Sequence, residues 1–302
     1  MNEEKQNTGT GERIRIGNSC LTVEICLRGA ELYAVRPAEG GDSYLWSGDP
    51  SIWSGRAPIL FPICGALRED TYMHEGVQYR MDKHGFASGM RFEAVETGRE
   101  HAVLRLEDSE TTRAMYPFSF ALTVRYALAE RTLEVTYAVE NRGGEPLYYS
   151  IGAHEGFALP EGVRAYEVHF DEREDMTAAD LAGPYLAGTH RRILPEDGRV
   201  LPLDPEQFVP DALIFLAPAS RGLSLCRRDG TRVVRVEFPD FPHLLLWQVS
   251  GAPFLCVEPW SGLPDYTDSS GILSEKPSIT VLAPHATHQY RHRLIFGAQP
   301  TM

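Results

Sequence analysis

Alternation of apolar and polar residues with a period of two constrains this chain more than any other feature. Leu21, Val23, Ile25 and Leu27 alternate with Thr22, Glu24 and Cys26. Successive side chains of a strand point to opposite faces, so this pattern buries one face and leaves the other wet. Leu133, Val135, Tyr137 and Val139 repeat it against Glu134, Thr136 and Ala138. Residues 120–128 precede that run across Ala129-Glu130-Arg131, which predicts a hairpin. Residues 99–107, 222–228 and 231–238 are further strands, the last two joined by Asp229-Gly230, a two-residue turn of the kind that closes hairpins. Helical periodicity is scarce, and only residues 175–182 predict a helical turn or two. The 27 glycines and 21 prolines separate short runs as turns do in sandwiches and barrels. Residues 158–210 are the least regular stretch and read as loops and short strands, not as a domain boundary. The expectation is an all-β chain: one large β-sandwich domain over residues 13–302 behind a polar, disordered tail over 1–12.

A chain of 302 residues with 43% hydrophobic side chains can bury a sizeable core without disulfides or metal. Its 42 acidic and 29 basic side chains leave a formal charge of −13. That balance disfavours nucleic acid and anionic membrane surfaces, whose phosphates need basic partners. It places no restriction on a neutral small molecule. The five cysteines, Cys20, Cys26, Cys64, Cys226 and Cys256, are scattered, with neither a CxxC pair nor a zinc spacing. Cys26, Cys64 and Cys256 sit among apolar neighbours as small hydrophobes. The first twelve residues lack the apolar centre of a signal peptide, and no segment approaches the ~20 apolar residues of a membrane span. These features give a reducing cytosol as the expected compartment.

The informative places are those where the alternation breaks. In Gly152-Ala153-His154-Glu155-Gly156-Phe157 a histidine sits among small residues, where glycine lets a ligand approach the backbone. In Cys256-Val257-Glu258-Pro259-Trp260 a carboxylate follows an apolar strand and precedes a Pro-Trp turn. His84 precedes Gly85, and Asp211 opens the apolar run 212–215. A histidine of this kind is commonly just a hydrogen-bonded, partly buried residue, and an aspartate beside proline is commonly a turn residue. Glu258 resists that explanation, because an unpartnered carboxylate is costly beside so apolar a strand. Trp260 fits a core, and equally the apolar face of a sugar ring.

Taken with Gly55-Arg56-Ala57-Pro58-Ile59-Leu60-Phe61-Pro62-Ile63-Cys64-Gly65, His84-Gly85-Phe86-Ala87 and Tyr116-Pro117-Phe118-Ser119-Phe120, these strings resemble the aldose 1-epimerase (galactose mutarotase) family, and its LacX-like branch in particular. The resemblance runs from about Leu21 to the C-terminus in the order and spacing of the family. It implies a large antiparallel β-supersandwich, a sugar substrate, and neither cofactor nor metal. It also implies that His154 is the general acid at the ring oxygen and Glu258 the general base at the anomeric hydroxyl. By the same resemblance His84 and Arg56 bind the sugar, His84 helps hold charge on the ring oxygen, and Asp211 binds ring hydroxyls. One acid and one base on opposite sides of the anomeric centre suffice for mutarotation. All five side chains are expected to converge on one cleft.

Related phosphohexose epimerases carry an arginine directly after His-Gly-Phe-Ala; this chain has Ser88 there, with Arg91 the nearest arginine and Arg191 and Arg192 on a later loop. With the acidic balance, this favours a free hexose over a hexose 6-phosphate. A non-catalytic sugar-binding or sensing protein on the same fold is the alternative, and retention of an acid–base pair argues against it. A glycosidase would use two carboxylates, and no second one occupies a comparable motif. Ser150 and Ser261 lie near His154 and Glu258 in sequence, but no Gly-x-Ser-x-Gly elbow is present.

Overall fold

Two antiparallel sheets dominate the computed structural model, which describes residues 12–194 and 196–297. The larger has nine strands in the order Gly198–Pro202, Tyr166–Glu174, Gly222–Arg227, Arg232–Glu237, Thr287–Phe296, Thr132–Asn141, Phe120–Ala129, His101–Glu107 and Glu93–Thr97. The second has six, in the order Glu155–Ala158, Phe254–Trp260, His243–Trp247, Leu213–Phe215, Thr177–Ala182 and Tyr185–Arg192. A three-stranded sheet, Arg13–Gly17, Leu21–Cys26 and Leu32–Pro37, and two short ribbons complete the described strands. The expected tail lies outside the described residues except for Glu12, whose carbonyl accepts the Leu27 N–H at 2.9 Å.

Alternating strands behave as their patterns require. Thr132–Asn141 buries every second residue, and Leu21–Cys26 does the same. The hairpin after residue 129 turns through Glu130 and Arg131, with Glu130 in the left-handed region at φ 52°. The Asp229-Gly230 turn joins Gly222–Arg227 to Arg232–Glu237 and is held by the Asp229 carboxylate accepting the Thr231 N–H at 2.8 Å. Val124, Val135 and Leu294 of the nine-stranded sheet share one core with Phe157, Leu213, Leu246 and Leu255 of the six-stranded sheet, which makes the pair a sandwich. An all-β antiparallel sandwich is therefore the observed class.

Two expectations need correction. Residues 175–182 form no helix: Thr177–Ala182 is a strand, paired with Tyr185–Arg192 and bridged to Ile214. Gly183, at φ 63°, and Pro184 close this hairpin, and sheet pairing outweighs a helix preference that is weak over so few residues. The irregular stretch also holds a nine-residue strand, Tyr166–Glu174. The single α-helix among the described residues is Glu110–Met115, capped by Ser109, and it is too short to leave a helical period in the sequence.

The period of two explains the site as well. In Phe254–Trp260 all seven residues are buried. Leu255 and Val257 point into the main core, while Phe254, Cys256 and Trp260 join apolar clusters on the sheet's outer face. Leu245 and Trp247 on the neighbouring strand, and Ile214 on the next, share that outer face. Loops carrying Trp46, Trp53 and Leu60 cover it only in part, and the uncovered portion is a cleft.

Candidate active site

Strand register brings the two outstanding polar residues together. Glu155–Ala158 pairs with Phe254–Trp260 so that Glu155 faces Val257, and the Ala153 N–H donates to the Pro259 carbonyl at 3.0 Å. His154 therefore lies across from Glu258, on the outer face. Its Nε2 is 3.3 Å from Glu258 Oε2, and the two residues keep only 7% and 2% of their surface exposed. The Trp53 ring stacks on the His154 imidazole at 5.2 Å, and Trp247 meets it edge-on at 5.7 Å. Glu258 thus lies inside a strand, not after one as its Pro-Trp flank suggested.

Burial opposes charge on both partners. It drives the His154 pKa down from 6.5 to about 3, with the Lys83 charge adding to the effect. It raises the Glu258 carboxyl well above 4.5; Lys83 opposes this and Asp211 adds to it. Each group alone is stable in its neutral form. Neutral imidazole plus carboxylic acid holds the same number of protons as imidazolium plus carboxylate. One proton crossing the contact interconverts the two states without changing the net charge.

His84 belongs to the same cleft. Its ring is 5.6 Å from that of His154 and 5.4 Å from that of Trp260. Its Nδ1 accepts the Gly65 N–H at 3.2 Å, which leaves Nε2 to carry the hydrogen of the neutral ring. Packing around the ring, then the neighbouring His154 and Lys83, pushes its pKa well below 6.5, so His84 is a neutral donor. The backbone that presents it is tightly specified: His84 sits at φ 70° and Gly85 at φ 74°. A Cβ on Gly85 would fall 2.3 Å from the Phe61 carbonyl oxygen, so only glycine fits. Gly152 serves a parallel purpose, since a Cβ there would meet the Trp260 ring at 2.7 Å. Asp211 also lines the cleft, with Oδ1 accepting its neighbour's N–H from Ala212 at 2.9 Å.

The cavity measures about 370 Å³, the lower end of the usual range for small-molecule sites. His84, His154, Asp211 and Glu258 all line it, and Arg56 does not. Instead the Arg56 guanidinium stacks 3.9 Å over the Tyr33 ring, donates to the Tyr33 carbonyl at 3.2 Å, and lines a separate cavity. Locally, Glu31 accepts the backbone N–H groups of Arg56 and Ala57, while the guanidinium is held by the Tyr33 ring and the Tyr33 and Trp46 carbonyls. The expected five-residue convergence is thus a convergence of four. Ser88 also lines the cleft. Lining residues that escaped sequence reasoning include Trp53, Trp247 and Lys83. For Lys83 a signal existed, its position beside His84; for the two tryptophans none did.

His154 Nε2 or Nδ1, Cys256 Sγ and Glu258 carboxylate oxygen come within 4.8 Å of one another and are the one metal-compatible cluster among the described residues. Burial pushes the Cys256 thiol well above 9.0 and raises the Glu258 carboxyl, so although His154 would offer a neutral imidazole, the other two would each have to lose a proton that burial favours, a poor donor set.

The family description Aldose 1-epimerase matches residues 12–275. Protein LacX (chromosomal) of Lactococcus lactis subsp. lactis is 32% identical over 284 residues, 90% of this chain and 95% of that protein. The structure of a galactose mutarotase related enzyme from Lactobacillus acidophilus superposes with TM-score 0.87 at 28% identity, covering 96% of this chain and 98% of the other. A galactose mutarotase-like protein from Lactobacillus casei gives TM-score 0.88 at 26% identity, over 94% and 99%. Fold, sequence and a match that spans both the His154 and the Glu258 strings agree: the chain belongs to the aldose 1-epimerase family.

Proposed function

We propose that this protein is an aldose 1-epimerase that interconverts the α and β anomers of a free hexose, with His154 as acid and Glu258 as base. The observation that carries the reading is the 3.3 Å contact between His154 Nε2 and Glu258 Oε2 at the floor of a sugar-sized cleft. Ring opening moves two protons at two oxygens bonded to the same carbon. The C1 hydroxyl loses its proton and the ring oxygen gains one. Two adjacent groups reach that pair of oxygens better than groups facing each other across the ring, which revises the opposite-sides arrangement expected from sequence.

With the dyad as imidazolium and carboxylate, Glu258 takes the hydroxyl proton while the C1–O electrons form the carbonyl. The bond from C1 to the ring oxygen breaks, and that oxygen takes its proton from His154. The dyad is left as neutral imidazole and carboxylic acid, the form that burial favours. Rotation about C1–C2 offers the other carbonyl face, and closure returns both protons by the reverse path. His84 Nε2–H donates to a ring or hydroxyl oxygen, Asp211 accepts hydroxyl hydrogens, and Trp247 and Trp260 cover the apolar C–H face. Polarimetry on freshly dissolved α-hexoses tests this: the protein should speed the drift to equilibrium for at least one free hexose. No acceleration across glucose, galactose, mannose and their 6-phosphates would refute the reading.

A further inference from the structure

A second cavity, larger than the sugar cleft, borders the three-stranded sheet and its neighbours. It measures about 840 Å³ and is the one that Arg56 lines. In a chain of net charge −13, its wall carries four arginines, Arg36, Arg56, Arg227 and Arg232, against one carboxylate, Asp42. Arg13 adds a fifth guanidinium just beyond, 3.4 Å over the same Tyr33 ring on which Arg56 stacks.

Some of this charge is already compensated. Glu24 pairs with Arg13 and Arg36 at 3.3 and 3.2 Å, and Glu161 pairs with Arg227 at 2.8 Å. Among the described residues, however, Arg56 and Arg232 make no ion pair; Arg232 has a single long bond, 3.4 Å from Nε to the Gly297 carbonyl. Two buried polar atoms on this wall also lack a protein partner: Arg227 Nε and the hydroxyl of Tyr166, a residue with no exposed surface. Burying a donor without an acceptor costs stability, and crowding like charges costs more. An anion in the cavity would offset the uncompensated guanidinium charge, because planar guanidinium donors match phosphate oxygens in geometry and charge.

We propose that this cavity is a second ligand site, distinct from the sugar cleft, that binds the phosphoryl group of a small phosphorylated metabolite. The organic body of that ligand lies against the apolar part of the wall, where Trp46 and Tyr44 stand. The two sites share a wall: the Trp46 indole N–H donates to the Trp53 carbonyl at 2.8 Å, and Trp53 stacks on His154. The site does not depend on the epimerase reading, since none of its residues is assigned to proton transfer.

Calorimetric titration of the whole protein with glucose 6-phosphate and with ADP, each in saturating galactose to fill the cleft, tests the proposal. At least one should bind, and Arg227→Gln/Arg232→Gln should weaken that binding by about tenfold or more. Preference for glucose 6-phosphate identifies a sugar phosphate as the class, and preference for ADP a nucleotide. Should the double variant fold poorly, Arg232→Glu alone reverses the least-engaged charge and should abolish the same binding. Absence of binding by both probes, or binding unchanged in the folded variants, overturns the proposal whether or not the protein is an epimerase.

Discussion

Replacing Glu258 by glutamine separates chemistry from folding with unusual clarity. Burial raises the carboxyl pKa well above 4.5, and a carboxamide copies the protonated carboxyl in shape and neutrality. The fold loses no ion pair, so stability should change by less than about 1 kcal/mol near neutral pH. Catalysis loses its base. Proton transfer by a positioned group is worth roughly 10²–10⁴-fold, a barrier increase of about 3 to 5 kcal/mol. The amide can still hydrogen-bond the anomeric hydroxyl, so the loss should fall on kcat with KM nearly unchanged. Polarimetric rates for Glu258→Gln, with thermal unfolding on the same sample, measure both quantities. A variant that keeps its rate within a few-fold of wild type would refute the assignment of the base, however stable it proved.

His154→Ala should lose activity to a similar degree and also change the acid profile. Its folded pKa, about 3, lies below the unfolded 6.5, so the unfolded chain binds the extra proton and stability falls as pH drops from 6.5 towards 3. Glu258, with its pKa raised, contributes the opposite slope, a stability that declines as pH rises above 4.5. Below 4.5 the histidine acts alone of the two, so a pH series of unfolding midpoints should show a steeper acid loss for wild type than for His154→Ala. Equal slopes would contradict a neutral, buried His154. Gly85→Ala places a Cβ against the Phe61 carbonyl in left-handed backbone. It should cost about 2–4 kcal/mol in denaturant unfolding and displace His84 with loss of activity, whereas a neutral outcome would show that the loop is not fixed there. A neutral hexose should be turned over with higher kcat/KM than its 6-phosphate. Lys83 is the one lysine or arginine on the described cleft wall, while Arg91, Arg191 and Arg192 are held in ion pairs with Glu12, Asp180 and Asp197. Preference for the phosphate would overturn that inference.

What could be read from sequence follows from geometry. Strands with one wet face, such as Thr132–Asn141, alternate and were legible. Phe254–Trp260 is buried on both faces, so it shows no alternation, and its polar member was mistaken for a residue beyond the strand end. Thr177–Ala182 reads as helical because alanine and leucine suit a helix, and only pairing with distant segments makes it a strand. His84, His154, Asp211 and Glu258 stood out because packing alone does not require polar groups at those places. Arg56 misled because a sequence string specifies a backbone position, whereas the direction of a long side chain depends on what lies beside it, here Tyr33 and the Trp46 carbonyl. Trp53 and Trp247 are remote in sequence from His154, and nothing short of the folded chain links them.

The central claim is that this cleft changes the anomer and does not merely hold the sugar. Magnetisation-exchange NMR on galactose or glucose at equilibrium measures α-to-β and β-to-α conversion directly, with protein-induced line broadening reporting binding in the same sample. The account predicts exchange in both directions, accelerated in proportion to protein concentration and lost in Glu258→Gln while binding persists. Binding by the wild-type protein with exchange no faster than in buffer would identify a sugar-binding protein and contradict the epimerase reading.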